Sequence, residues 1–181
     1  MSPGSLLIAD PSVIGDNNFH RSIILLVEHD HNGSFGFIIN NPLNYTTNDI
    51  TIEMEYDFPL YYGGPVDQEN LFFVHKMGNL IPNSVQIQND LYWGGDFKKT
   101  ISLVNDKQLN VNDIKFFLGY SGWSPNQLNL EIESKSWIIK KNSNSSEIFR
   151  NKSKSLWSKK MKELGGDFIL WANSPENPYE N

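Results

Sequence analysis

Three of the four histidines and one serine-bearing turn are the places where this chain holds atoms suited to reaction. His29 and His31 stand two apart, flanked by Glu28 and Asp30. On an extended strand residues two apart share a side, so the pair has the spacing of half a metal site, with His75 at the end of another apolar run as the candidate third ligand. A polar hairpin end is the simpler reading, because histidine beside a turn is ordinary, and no metal is expected. Gly119-Tyr120-Ser121-Gly122-Trp123 has the outline of a nucleophile elbow, a serine on a strained turn between strand and helix. That motif needs glycine two residues after the serine, where Trp123 stands, and it needs Asp and His later in the chain, whereas the last histidine is His75. The run therefore reads as a turn of small residues packed closely, with Trp123 as a core or groove wall.

The glycine pairs offer little more. Gly94-Gly95-Asp96-Phe97 and Gly165-Gly166-Asp167-Phe168 carry part of the diguanylate cyclase signature without its second acidic residue. Gly63-Gly64-Pro65-Val66 lacks the spacing and the Lys-Ser/Thr of a phosphate loop. Its double glycine is expected to let the backbone turn sharply or approach a neighbour. No cofactor is expected.

Cysteine is absent, which removes thiolate chemistry, disulfides and cysteine-ligated metal, and suits a reducing compartment. At 181 residues, 39% of them hydrophobic, the chain has the length for one well-buried core and too much apolar material for disorder. The start, Met1-Ser2-Pro3-Gly4, shows no basic region leading into an apolar run, and no apolar run reaches the roughly 18 residues of a membrane span. A soluble cytoplasmic protein with no membrane partner is the expectation. The net charge of −6 disfavours nucleic acid. The charge is uneven, however: residues 135–162 hold nine Lys or Arg against one Glu. A solvated helix face balanced by an acidic body is the simpler account, so direct nucleic-acid binding is not expected and this region is its only candidate.

The elements that would place these residues are mostly strands. Residues 5–9, 22–29, 35–40, 60–63, 71–75, 85–88, 114–120 and 136–140 read as strands, and Asp30-His31-Asn32-Gly33-Ser34 turns the second into the third as a hairpin. The near-continuous apolar character of that hairpin places it centrally, covered on both sides. Residues 43–59 are weakly patterned, with one helical turn after Thr47-Asn48-Asp49. Asp96 caps a helix carrying Phe97, Ile101 and Val104 inward. Ser124-Pro125-Asn126-Gln127 has capping-box form, so a helix begins there, with Leu128 and Ile132 inward and Gln127 and Glu131 sharing another face. Residues 142–146 read as a polar turn, and 153–164 as an amphipathic helix ended by Gly165-Gly166.

Taken in order, these landmarks resemble the YqgE/AlgH family over nearly the whole chain. They include Leu6-Leu7-Ile8-Ala9 before Pro11, Phe19 with Arg21-Ser22, Val27-Glu28-His29, and Gly33-Ser34-Phe35-Gly36 leading to Ile39-Asn40 and Pro42. Gly63-Gly64-Pro65-Val66, Phe73-Val74-His75, the Leu118 to Trp123 run with Gln127-Leu128, Glu131 and Trp137, then Trp157 and Leu164-Gly165, complete them. The resemblance implies a compact α+β domain with a barrel-like sheet region in a bacterial cytoplasmic protein. Members are mostly uncharacterised, and some are linked genetically to transcriptional regulation, including that of exopolysaccharide production. The chain departs from the pattern at Trp93-Gly94-Gly95-Asp96-Phe97, which replaces a polar stretch.

The expected architecture is α+β, a mostly antiparallel or mixed sheet, open or closed into a small barrel, flanked by a few helices. One domain is expected over residues 1–171, with a flexible tail over 172–181. Binding residues are expected among His29, Asn40, Gly63, Gly64, Tyr120, Trp123, Gln127 and Glu131, because the family-matching positions are glycines, aromatics and hydrogen-bonding groups rather than a reactive set. The partner implied is a protein or a small molecule, and the role a regulatory one, in transcription, without catalysis. The alternative is a hydrolase or transferase with His29 or Glu131 as base.

Overall fold

Alternation along the first two strands shows how the sheet is buried. In β1 (Leu6–Ala9) and β2 (Ile23–Asp30), Leu6, Ile8, Ile23, Leu25 and Val27 face one core while Leu7, Ala9, Ile24 and Leu26 face another. Both faces are covered, which is why these runs are continuously apolar. The computed structural model describes residues 1–141, 145–150 and 155–175. The remaining strands are β3 (Gly33–Ile38), β4 (Pro42–Thr46), β5 (Pro59–Tyr62), β6 (Val66–His75), β7 (Val85–Gln88), β8 (Leu91–Trp93), β9 (Ile114–Trp123) and β10 (Trp137–Lys140). β2 and β3 form the expected hairpin, with the Asn32 amide bonded to Asp30 Oδ1 at 2.7 Å.

The sheet turns on β9. One edge of its first half takes β5 in parallel, Leu60 opposite Phe116, and the same edge of its second half takes β3 antiparallel, Ser34 opposite Trp123. The other edge takes β6, followed outward by β8 and β7. β4 lies beside β5, and β10 beside β1. The barrel option is corrected by this pairing. The path runs β10-β1-β2-β3-β9-β6-β8-β7, and its two ends do not pair. Because β3 and β5 share one edge of β9, the strands divide into two halves instead of continuing round one axis, and each end strand is only four residues long. The result is an open, mostly antiparallel ten-stranded sheet with helices packed on it.

Helix α1 (Phe97–Asn105) covers the outer face of the β5–β9–β6 half with Ile101 and Val104, and Asp96 Oδ1 caps it by accepting from the Lys99 amide at 3.0 Å. Helix α2 (Gln127–Glu133) starts later than its capping-box form suggests. Gln127 Oε1 accepts from the Ser124 amide at 3.0 Å, but Asn126, at φ 64°, occupies the cap without a side-chain bond. Leu128 and Ile132 do face the core. Helices α3 (Ser146–Arg150), α4 (Leu156–Leu164) and α5 (Phe168–Asn173) close the interior with Ile148, Phe149, Leu156, Trp157, Met161 and Ala172. Of the expected polar turn, residues 142–144 lie outside the described residues, as do 153 and 154 of the expected helix. Residues 172–175 of the expected tail are placed: Ala172 is buried, and Arg21 Nη2 donates to the carbonyls of Ser174 and Pro175 at 2.8 and 2.9 Å. Residues 176–181 lie outside the described residues.

Two buried cations were not visible in the strand pattern. Lys115 Nζ donates to the Ile39 and Ile148 carbonyls at 2.7 and 3.1 Å and stands 3.7 Å from the Tyr61 ring centroid, tying α3 to the end of β3. Lys160, 2% exposed, is held by Glu147 and Glu163.

His75 is fully buried at the far end of β6. Its Nδ1 accepts from the Met77 amide at 3.1 Å, so Nε2 carries the proton and donates to the Gly94 carbonyl at 3.1 Å. Burial pushes its pKa down to about 4, against the smaller opposing effect of the Gly94 bond. The unfolded chain binds this proton near pH 6.5, the folded chain only near 4, so stability is complete above the higher value and falls as pH drops toward the lower. Denaturant midpoints measured from pH 7 to pH 4 should therefore fall by up to about 3 kcal/mol of stability, and His75→Gln should flatten that slope.

Candidate functional site

A backbone crossing sets the geometry of the signature residues. Along β9, Ile114, Phe116 and Leu118 face α1 and Phe117 faces the interior. Beyond Gly119 the order inverts, with Tyr120 toward the interior core and Trp123 toward the α2 side. Gly119, at φ 70°, makes that half-turn. It does so against Gly63 and Gly64: a Cβ on Gly63 would lie 2.1 Å from the Gly119 carbonyl oxygen, and one on Gly64 2.3 Å from the Tyr120 carbonyl carbon. Gly63 and Gly64 thus serve close backbone approach, as the sequence predicts. Ser121 is fully buried inside the strand, its Oγ donating to the Gly63 carbonyl at 3.1 Å, so it is no exposed nucleophile.

The crossing delivers Trp123 to a carboxylate. Glu131 Oε2 accepts from the indole nitrogens of both Trp123 and Trp137 at 2.8 Å, and Oε1 accepts from Gln127 Nε2 at 2.9 Å. The two indoles meet edge to face at 6.0 Å, with Phe19 against both. This node locks α2 onto β9 and β10. Removing it strands two indole donors, each costing about 1–3 kcal/mol. Glu131→Ala should lose about 2–4 kcal/mol with a changed tryptophan emission, and Glu131→Gln clearly less, as chemical denaturation will show.

On the interior side of the same strand lies an open groove of about 860 Å³. Phe35, Phe72, Trp93 and Tyr120, each half-buried, form its floor. Phe35 contacts Trp93 and Tyr120 edge to face at 5.0 and 5.7 Å, and Phe72 meets Tyr120 likewise at 5.6 Å. Glu28, Asp30 and Asp67 stand on the rim, and among the described residues no Lys or Arg lines it. The Asn32 backbone amide beside Asp30 holds that carboxyl below the usual carboxylate range, against a smaller effect of burial. The Trp93 indole N–H is buried without an acceptor among the described residues. An aromatic floor attracts cations over its faces, and the acidic rim has the matching sign.

Of the residues expected to bind, Tyr120 and Trp123 line this groove, while Gln127 and Glu131 sit behind it in the node and Gly63 and Gly64 beneath the crossing. His29 bonds Ser34 Oγ through Nδ1 at 2.7 Å and is not among the lining side chains. Asn40 is elsewhere: its Oδ1 accepts from the Ile23 amide at 2.8 Å and its Nδ2 donates to the Arg21 carbonyl at 2.9 Å. The eight residues do not converge on one surface. His29 and His75 are also far apart, at opposite ends of β9 by register, nine residues or about 30 Å of extended chain. No three His, Asp or Glu side chains among the described residues are grouped to hold a metal ion.

The chain matches the AlgH-like family model over residues 6–169. It belongs to that family. Among curated relatives it is 39% identical to a UPF0301 protein of Cytophaga hutchinsonii, over 100% of both chains, and 36% identical to one of Chlorobaculum tepidum, over 100% of this chain and 96% of that one. Among solved structures it resembles the AlgH protein from Pseudomonas aeruginosa, with a TM-score of 0.73 at 21% identity, covering 96% of this chain and 94% of that one. A Corynebacterium diphtheriae protein matches with a TM-score of 0.74 at 22% identity, covering 96% and 93%. At these identities the structural likeness speaks for the fold shared across the AlgH-like family.

The described bases of the 135–162 stretch are only partly free at the surface. Lys140 pairs with Glu163 at 2.6 Å, and Lys160 is buried against Glu147 and Glu163. Burial works to lower the Lys160 pKa, and the hydrogen bonds it donates to the two glutamates outweigh it, holding the ammonium charged. Lys135, Lys141, Lys159 and Lys162 are exposed, but on the turn after α2, the end of β10 and α4. The Arg150 side chain, Lys152 and Lys154 lie outside the described residues. No helix among the described residues is long and apolar enough to cross a membrane.

Proposed function

We propose that this AlgH-like protein works in the cytoplasm by recognition, without chemistry of its own, and that it regulates by taking an extended, Lys- or Arg-bearing segment of a protein partner into the aromatic groove. The observation that carries this reading is the groove's composition, four half-buried aromatic rings under a rim of three carboxylates with no base among the described lining residues. The rings suit a cationic head and its apolar stem. The alternative bases are already engaged, Glu131 by three donors and His29 by Ser34, which disfavours the hydrolase or transferase reading. A role in transcription, implied by the family, would then run through a protein partner, consistent with the −6 net charge.

The reading is tested with pools of short peptides, basic-apolar and acidic-apolar, followed by tryptophan fluorescence at two salt concentrations. The basic pool should bind saturably and weaken with salt. Equal response to both pools, or tight and sequence-selective DNA retardation in a gel shift, would contradict it.

A further inference from the structure

A second cavity, of about 390 Å³, lies away from the groove, between the loop before β2 and the start of α4. We propose that it binds the oxyanion of a small phosphate-bearing ligand. Nine of its ten described lining residues are polar, Asn17, Asn18, His20, Arg21, Ser22 and Ser158 among them. The loop is built at a conformational cost. Arg21 is a non-glycine residue at φ 54°, kept there by Asn40, which bonds the Arg21 carbonyl and the Ile23 amide on either side of Ser22.

Beside that clamp stand donors the fold does not use. Ser22 is 4% exposed, yet its Oγ has no hydrogen-bond partner among the described residues, and neither has Arg21 Nε. The guanidinium itself is fixed, with Nη2 on the Ser174 and Pro175 carbonyls and the group 5.0 Å from the Trp157 ring centroid. A rigid arginine, a buried hydroxyl, an imidazole and a serine in the first turn of a nine-residue helix are the groups that oxyanions take up, because all four line one cavity and the helix start adds positive potential. Asp16, the neighbouring carboxylate, is turned onto the Asn18 and Phe19 amides and does not line the cavity. The volume exceeds that of a bare phosphate and leaves room for the rest of a phosphomonoester. Asn40, one of the signature positions, thereby acquires a positioning role that the groove does not give it.

The test is titration of the isotopically labelled protein with inorganic phosphate, with a simple phosphomonoester such as glycerol phosphate, and with chloride at matched ionic strength. Amide signals of Arg21, Ser22 and Ser158 should shift saturably with the first two, at millimolar affinity or tighter, and not with chloride. Tighter binding of the ester identifies a phosphorylated metabolite and tighter binding of phosphate the free ion, and either supports the site. Ser22→Ala removes an unpaired buried hydroxyl, so it should keep or raise the melting temperature while weakening the anion by at least about tenfold. Ser158→Ala, at a half-exposed position, should weaken it similarly without touching the core. Shifts indistinguishable from chloride, or both variants binding like the native protein, would overturn the proposal.

Discussion

Gly63→Ala should cost the chain a large part of its stability. The added methyl would stand 2.1 Å from the Gly119 carbonyl oxygen and 3.1 Å from Phe117 Cβ, so its obstacle is the backbone of β9 rather than a side chain that can swing away. Gly63 also holds the crossing together, its amide donating to the Leu118 carbonyl at 2.8 Å and its carbonyl accepting from the Ile38 amide at 2.9 Å. Moving it breaks the junction of β5, β3 and β9 together. A loss of at least about 4 kcal/mol is expected, set against a total of about 5–15 kcal/mol for a typical domain. Gly94→Ala is the comparison: Gly94 sits at φ 63° with nothing within 4 Å of the would-be Cβ, so only the dihedral cost of about 1–2 kcal/mol applies. Urea titration of both variants separates them, and a Gly63→Ala protein within about 1 kcal/mol of native would mean that the crossing is not what fixes β9.

Neutralising the rim should cost the groove its partner. Glu28→Gln with Asp30→Asn and Asp67→Asn leaves the shape intact, since Glu28, Asp30 and Asp67 are exposed and an amide at position 30 still accepts from the Asn32 amide. With exposed charge pairs worth up to about 1 kcal/mol each, the triple change should weaken a basic peptide by about a hundredfold and remove its salt dependence. Calorimetric titration at two ionic strengths reads both effects. Unchanged affinity would place the partner elsewhere.

How far the sequence shows this molecule depends on how local each feature is. The β2–β3 hairpin, the Asp96 cap and the Gln127–Glu131 pair are all legible, because their partners lie within a few residues and obey turn or helical spacing. The family and the α+β class are legible from landmarks spread along the chain. The division of the sheet at β9 is not, since it depends on two distant strands, β3 and β5, competing for one edge. Strand β4 is hidden by its polar, Asn-bearing sequence, and β8 by being only three residues long. α5 is hidden because its first residues follow Gly165-Gly166, which also mark a helix end.

The candidate site shows the same limit. Tyr120 and Trp123 are legible as candidate binding residues, Trp123 as a core or groove wall, but Phe35, Phe72 and Trp93 come from three other strands, and each alone reads as a core aromatic. The signal available was Trp93, standing where the chain departs from the family pattern. Glu131 looks like a free base on a helix face until Trp123 and Trp137, on separate strands, are seen to share one of its oxygens. Ser22 reads as the start of a strand, and only burial without a partner sets it apart.

The indole resonances decide the central claim. Trp123 and Trp137 donate to Glu131 and Trp157 to the Ala9 carbonyl, whereas the Trp93 N–H has no acceptor among the described residues and its ring lines the groove floor, so its signal reports on a groove occupant. Titrating labelled protein with the basic-apolar peptides should shift the Trp93 indole signal saturably, leave that of Trp157 in place, and lose the effect in the rim-neutralised variant. A peptide that binds while the Trp93 signal stays still would contradict the account.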